Sequence, residues 1–246
     1  MLRTRRAYAG VVFAVGLLGV PSSPAEVTVR VDAPRCAPDG GSGTESDPYC
    51  RIQDAICAIK DTGGGTVLVH PGIYRESLRM FPRVSVVSTD GPAVTTIDAS
   101  GIPCTTRFCL PSQVNAVCST VVFGEGATPA DRLDGFRITG GSGLYREFPA
   151  SSPPDAVAGG GIFVFQGSPT ISRNEIVDNV LAHGSTDEYW GAGIYVFGSV
   201  PAAPIRPTIT DNLIAGNVAS SPEGRPNSPT HSFGGGIYTS WYAAAR

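Results

Sequence analysis

The residues of this chain that could do chemistry gather in three stretches. Residues 140–158 hold Tyr145, Arg146, Glu147 and Phe148. Residues 181–190 hold His183, Asp187, Glu188, Tyr189 and Trp190, and residues 219–233 hold Glu223, Arg225, His231 and Phe233. Flat aromatic rings stack on sugar faces, while carboxylates and Arg hydrogen-bond hydroxyls and acid groups. Tyr145, Tyr189, Trp190, Glu223, Arg225 and His231 are therefore candidate ligand-binding residues for a polysaccharide. Asp187, Glu188, Arg146 and His183 are the candidates for catalysis. Elimination beside a uronate carboxyl needs an Arg or Lys base and often Ca²⁺, held by several carboxylates, to acidify the proton. Asp187 with Glu188 is a possible ligand pair, and Ca²⁺ is implied only for that reaction. Asp178 and Asp211 occupy different positions in the repeat described next and do not build one cluster. In the plainer reading these stretches are solvated, with Trp190 and Phe233 packed beneath them.

What must position these residues is a repeat. Pro169 to Val180 (PTISRNEIVDNV) aligns without a gap on Pro207 to Val218 (PTITDNLIAGNV), with seven of twelve positions identical at an offset of 38. GGGIFVF at Gly159, GAGIYVF at Gly191 and GGGIYTS at Gly234 form a second recurring element. Each unit holds three short β-type pieces, such as Ile162–Phe165, Thr170–Ser172 and Glu175–Val177, cut by Gly, Pro and Asn turns. Three brief strands cannot bury a core alone; stacked coil on coil they bury a continuous inner column. Ile171 over Ile209 and Ile176 over Ile214 are the expected inner stacks. Asn174 with Asn212 and Asn179 with Asn217 are the expected turn ladders, where Asn tolerates a left-handed backbone. The three chemistry-bearing stretches all fall between the third strand of one coil and the GGGI-type strand of the next. Insertions at one repeat position emerge on one face, often the binding face.

Upstream, Thr66–Val69, Val84–Val87, Thr95–Asp98, Val121–Phe123 and Phe136–Thr139 read as strands of degenerate coils. Residues 51–60 form the one helix candidate, with Ile52, Ala55, Ile56 and Ile59 on one stripe. Such a helix caps the open end of a stack, which is otherwise an edge that invites pairing. His70 follows Val67 to Val69 and precedes Pro71 and Gly72, as a residue ending a strand.

The run DGGSGTESDPYCRIQDAI, then GGGTVLVHPGIYRESL, then LDGFRITGG and the GGGIY, PTI and N-x-I repeats resembles secreted right-handed parallel β-helix proteins of the pectate-lyase-like superfamily. The resemblance spans residues 36–240 and implies an all-β, right-handed parallel β-helix with a short N-terminal capping helix. One fold hosts many functions, so it implies no single activity. The galacturonase pattern of NTD, paired Asp, GHG and RIK is absent. Residues Ile52 to Glu76 share the opening pattern of pectin esterases, whose later catalytic segments have no counterpart here.

Composition sets the compartment and the partners. The chain has 246 residues, 31 of them Gly and 21 Pro, with a formal charge of −3. That balance, without a basic stripe, gives no reason to expect nucleic acid as a partner. Arg3, Arg5 and Arg6, then apolar Ala7 to Val20, then Ser23-Pro24-Ala25, read as a secretory signal. The expected organisation is a signal peptide over 1–25, an N-terminal cap region over 26–65 and a β-helix over 66–246. The repeats are clearest over 131–240 and the array is incomplete at its C-terminus, which favours a fragment of a longer solenoid. No second apolar run exists, so no membrane span is expected after signal cleavage. Six cysteines, Cys36, Cys50, Cys57, Cys104, Cys109 and Cys118, fit an oxidising destination and allow 15 pairings. Cys57 lies off the apolar stripe of the helix, placed to staple it to a neighbouring loop. No zinc-type spacing occurs, and oligomeric state is left open. The expectation is a secreted or cell-surface β-helix that binds or presents to polysaccharide through loops on one face. A uronate lyase and a structural adhesion stalk are the alternatives.

Overall fold

The computed structural model describes residues 26–37, 40–104, 109, 117–146, 156–181, 188–198, 204–219 and 231–241. The expected signal peptide lies outside them. The chain enters through β1 (Val27–Val31) and α1 (Ile52–Ile59), then winds five coils. The first is β2 (Gly65–Val69), β3 (Gly72–Tyr74) and β4 (Leu78–Met80). The second is β5 (Val84–Ser88), β6 (Thr95–Asp98), β7 (Val117–Cys118) and β8 (Val121–Phe123). The third is β9 (Arg132–Asp134), β10 (Arg137–Thr139), β11 (Gly143–Arg146), β12 (Ala156–Ala158) and β13 (Ile162–Phe165). The fourth runs through β14 (Thr170–Ser172), β15 (Glu175–Val177), β16 (Val180–Leu181), β17 (Glu188–Trp190) and β18 (Ile194–Gly198). The fifth repeats that order as β19 (Thr208–Thr210), β20 (Leu213–Ala215), β21 (Val218–Ala219), β22 (His231–Phe233) and β23 (Ile237–Trp241).

Three long sheets result, each entirely parallel. The first sheet is β1-β2-β5-β9-β14-β19, the second β3-β6-β10-β15-β20 and the third β4-β8-β13-β18-β23. This is a parallel β-helix. Ile171 pairs with Ile209 and Ile176 with Ile214, as the repeat predicts. Inward side chains from all three sheets, among them Val86, Leu133, Ile138, Ile162 and Ile194, merge into one buried column.

Local chemistry sets the bends. Asn179 Nδ2 donates to Ile138 O and to Asn217 Oδ1, while its Oδ1 accepts from Gly141 N at 2.9 Å. Asn174 likewise bridges Leu133 O, Asn212 Oδ1 and Phe136 N. The left-handed conformation falls on the residue before each ladder position: Gly135, Arg173 and Asp211 at one bend, Gly140, Asp178 and Gly216 at the other. The asparagines themselves are not left-handed, which corrects the sequence reading. Their side chains are the hydrogen-bonding part of the turn, and a neighbour carries the strain. The G-[GA]-G-I motif divides labour in the same way. Its first glycine is left-handed (φ 63 at Gly159, 60 at Gly191, 65 at Gly234), and its third lets backbones touch. A Cβ on Gly161 would stand 2.7 Å from Gly193 O, and one on Gly193 would stand 2.5 Å from Gly236 O. The middle position is not left-handed; it is close-packed in the first copy, where a Cβ on Gly160 would stand 2.5 Å from Ala192 O, and carries Ala192 in the second.

Helix α1 closes the N-terminal end. Ile52, Ala55, Ile56 and Ile59 join the core column beside Val29 and Val67. Its N-terminus is capped from a distance: the buried Glu76 carboxylate accepts Ile52 N at 2.8 Å and Gln53 N at 3.0 Å. Burial pushes the Glu76 carboxyl up, against the opposing pull of those two bonds and of Arg51. The disulfides are Cys36–Cys50, Cys57–Cys109 and Cys104–Cys118. The second staples α1 to the excursion between β6 and β7, the role expected of Cys57. Among the described residues no helix is long and apolar enough to cross a membrane.

Candidate functional site

The inserts build a sheet of their own. β12, β17 and β22 pair in parallel, with Glu188 beside His231, Tyr189 beside Ser232 and Trp190 beside Phe233. β11 lies antiparallel to both β12 and β7, bringing Tyr145 opposite Val157 and Arg146 opposite Ala156. The described parts of these stretches, far apart in sequence, thus meet in one sheet on one side of the stack. The excursion before β7 belongs to this same series, an assignment the sequence reading missed. Its only local signal is the Cys104 and Cys118 pair at its ends. Glu147, Phe148, His183, Asp187, Glu223 and Arg225 lie outside the described residues.

Two ligand-binding candidates need correction. Tyr189 and Trp190 occupy strand β17 and are only 1% and 5% exposed, so neither offers its ring to a ligand; for Trp190 the plainer reading, packing beneath, is the one seen. Alternation explains this, because the two side chains leave opposite faces of the strand. Tyr189 packs with Val157, Leu181 and Ala192. Trp190 packs on the outer face of the third sheet, with ring centroids 5.7 Å from Tyr195 and 6.1 Å from Tyr238. There Phe163 stacks on Tyr195 at 5.3 Å, Tyr195 on Tyr238 at 5.8 Å and Phe165 on Phe197 at 5.7 Å. This aromatic ladder is a second core between the third sheet and the insert sheet. Phe233, 37% exposed, stacks on Tyr238 at 5.6 Å and brings the ladder to the surface.

Carboxylate–arginine clusters occur elsewhere. On the first sheet, buried Asp134 accepts from Arg173 Nε at 2.7 Å and Ser172 Oγ at 3.1 Å and also pairs with Arg132. Burial alone would raise the Asp134 carboxyl, but these hydrogen bonds and the two guanidinium charges outweigh it and hold the carboxyl below its usual range. On the second sheet Arg137 joins Glu175 at 3.3 Å and Asp178 at 3.2 Å. Both clusters pair opposite charges across coils, the first with one guanidinium in excess and the second with one carboxylate in excess. A groove of about 750 Å³ lies over the first sheet, floored by Thr66, Leu68, Ser85 and Val87. Its hydroxyls are already engaged: Thr66 donates to Glu26 and Ser85 to Ala130 O. Among the described residues no group of three His, Cys, Asp or Glu could hold a metal ion. His70 ends β2 as the sequence suggests, and its Nε2 is buried without a partner among the described residues.

Arg79 is the residue on this side that sequence reasoning did not single out. It stands on β4, in the outward row that continues through Val122, Phe163, Tyr195 and Tyr238. The side chain of Gln53 holds its peptide like a neighbouring strand, accepting from Arg79 N at 2.8 Å and donating to Arg79 O at 3.4 Å.

No protein-family model and no curated protein matches the chain. Among solved structures it is similar to Escherichia coli YbhC, at 13% identity and a TM-score of 0.48, over 85% of this chain and 55% of that one. It is also similar to the pectin methylesterase PemA from Erwinia chrysanthemi, at 14% identity and a TM-score of 0.39, over 77% of this chain and 54% of that one. The chain spans about half the length of each. At these scores neither likeness bears on activity, and the fold rests on the strand pairing.

Proposed function

We propose that this is a secreted or surface β-helix protein that binds polysaccharide along its insert face. The observation that carries the reading is the insert sheet itself: β12, β17 and β22 stack in register, so each coil delivers a new insert to the same side. A polymer laid along the stack meets the same kind of contact repeatedly, and many weak contacts add up in avidity. In this reading Tyr145, Arg146, His183, Asp187, Glu188, Glu223, Arg225 and His231 supply polar and aromatic contacts from the strands and the segments that precede them. Exposed Phe233 supplies an apolar platform, and Tyr189 and Trp190 hold the face rigid from beneath. Three disulfides favour an oxidising destination.

The test is retention of the purified protein on a panel of immobilised polysaccharides, run beside a turnover assay on acidic ones with Ca²⁺ and with chelator. Retention on at least one glycan without product is expected. Absence of retention on every glycan overturns the reading in favour of a structural stalk. Unsaturated uronide that disappears with chelator would replace binding by lyase activity, and alanine at Asp187 and Glu188 should then abolish it.

A further inference from the structure

Arg79 is a half-buried cation without a counter-charge. No carboxylate is ion-paired with it among the described residues, and its Nε is buried with no acceptor in reach. Arg83 and Arg206 also have no ion pair among the described residues, but both are exposed to water, whereas Arg79 is half-buried. The Arg residues at positions 30, 35, 51, 75, 132, 137 and 173 each have an Asp or Glu within 4 Å. The excursion that Cys57–Cys109 staples to α1 has no acidic residue in its sequence between 99 and 118. The Phe81 ring centroid lies 5.8 Å from the guanidinium carbon, and Lys60 Nζ lies 5.6 Å from the same ring, so a second cation shares this contact. Burial accordingly holds this guanidinium below its usual basicity. Leaving a partly buried charge unpaired costs stability, and such costs persist where a ligand supplies the missing partner.

Gln53 fixes the Arg79 backbone through both its N–H and its C=O, and Gly124 lies beside the guanidinium: a Cβ there would come within 3.4 Å of Nη2. The fork is thus presented from a rigid strand at the capped end of the row that also carries Phe163 and Tyr195. A planar guanidinium in that setting matches a flat or tetrahedral oxyanion bidentately. We propose that Arg79 receives an oxyanion, the carboxylate or sulfate ester of a ligand, at the capped end of the insert face. This deepens the polysaccharide reading and rests on it only for the polymer to which the oxyanion belongs.

The test uses the full chain with galacturonate, inorganic sulfate and neutral galactose at constant ionic strength, read by titration calorimetry and thermal unfolding. Galacturonate or sulfate should bind and raise the unfolding midpoint, and galactose should not; which anion binds more tightly separates uronate from sulfate ester. Arg79→Gln should weaken the anion about tenfold to a hundredfold, the range of a lost charged hydrogen bond, and Arg79→Lys should keep part of the affinity. Unliganded Arg79→Gln should unfold no earlier than the wild type, because the unpaired charge is gone. Anion binding unchanged in Arg79→Gln, or no anion binding by the wild type, overturns the proposal whatever glycan retention shows. Arg79-dependent anion binding without retention on any polysaccharide would leave this site standing and remove the polymer.

Discussion

Glu76 reaches across more than twenty residues to cap a helix whose own N-cap position, Arg51, offers no side-chain bond. Glu76→Ala leaves two buried N–H groups without acceptors and should cost about 2 kcal/mol, measured by chemical denaturation. Asp134 makes the pH prediction. Its folded-state pKa lies below the unfolded value of about 3.9, so its contribution is complete above that value and is lost as pH falls through the folded one. Asp134→Asn should lower stability at neutral pH by about 1–2 kcal/mol and flatten the loss between neutrality and strong acid. Unfolding midpoints across a pH series check both statements. Neither residue was legible in the sequence. Glu76 acts through a contact distant in the chain, and Asp134 reads as one more surface acid on a strand until coil stacking places Ser172 and Arg173 beside it. Arg79 escaped for the same reason: Leu78-Arg79-Met80 looks like ordinary alternation with the charge facing water.

Strands and bends were far more legible than any single site. Thr95–Asp98, Val121–Phe123, Ile162–Phe165, Thr170–Ser172 and Glu175–Val177 form where β-branched and aromatic runs meet turn residues. Asn174 and Asn179 announce the ladders because identical residues recur at the repeat offset. The insert sheet was not legible, since Ala156–Ala158 and Glu188–Trp190 have no repeated motif, and their pairing follows from the coils that carry them. Asn179→Ala should remove a fully buried amide bonded to both adjacent coils and cost about 2–3 kcal/mol. Asn217→Ala, at the half-exposed last rung, should cost about 1 kcal/mol. For the staples, the loop-closure description gives about 4 kcal/mol for Cys57–Cys109 and about 3 kcal/mol for Cys36–Cys50, following their separations of 52 and 14 residues. Paired serine variants compared under oxidising conditions measure that difference.

Burial of the core column differs along the described coils. At the capped end α1 buries its apolar stripe, and the fourth coil keeps Ile171, Ile176 and Ile194 fully buried. In the fifth coil Ile209 and Ile214 are only partly buried and Ile237 is 40% exposed. Stability in a solenoid is close to a sum over neighbouring units. Amide exchange should therefore quicken from β14 and β15 to β19 and β20, by about tenfold for each 1.4 kcal/mol of local stability lost. Equal protection in the last two coils would mean that the array unfolds as one unit.

The cap also precedes the coils in chain order and is made before them. Synthesis delivers roughly 5–20 residues per second, so each later coil, with a 38-residue offset between equivalent rungs, takes roughly 2–8 s to emerge. That interval is long beside the formation of a few local hydrogen bonds. The fifth coil consequently meets a fourth that already carries an amide at each of the two bends, Asn174 and Asn179, and growth from the cap would proceed in one direction, like a thread cut from a fixed first turn. Slippage by one coil would have to break rungs that are already closed, which makes α1 and its Glu76 clasp the point from which the whole winding takes its phase.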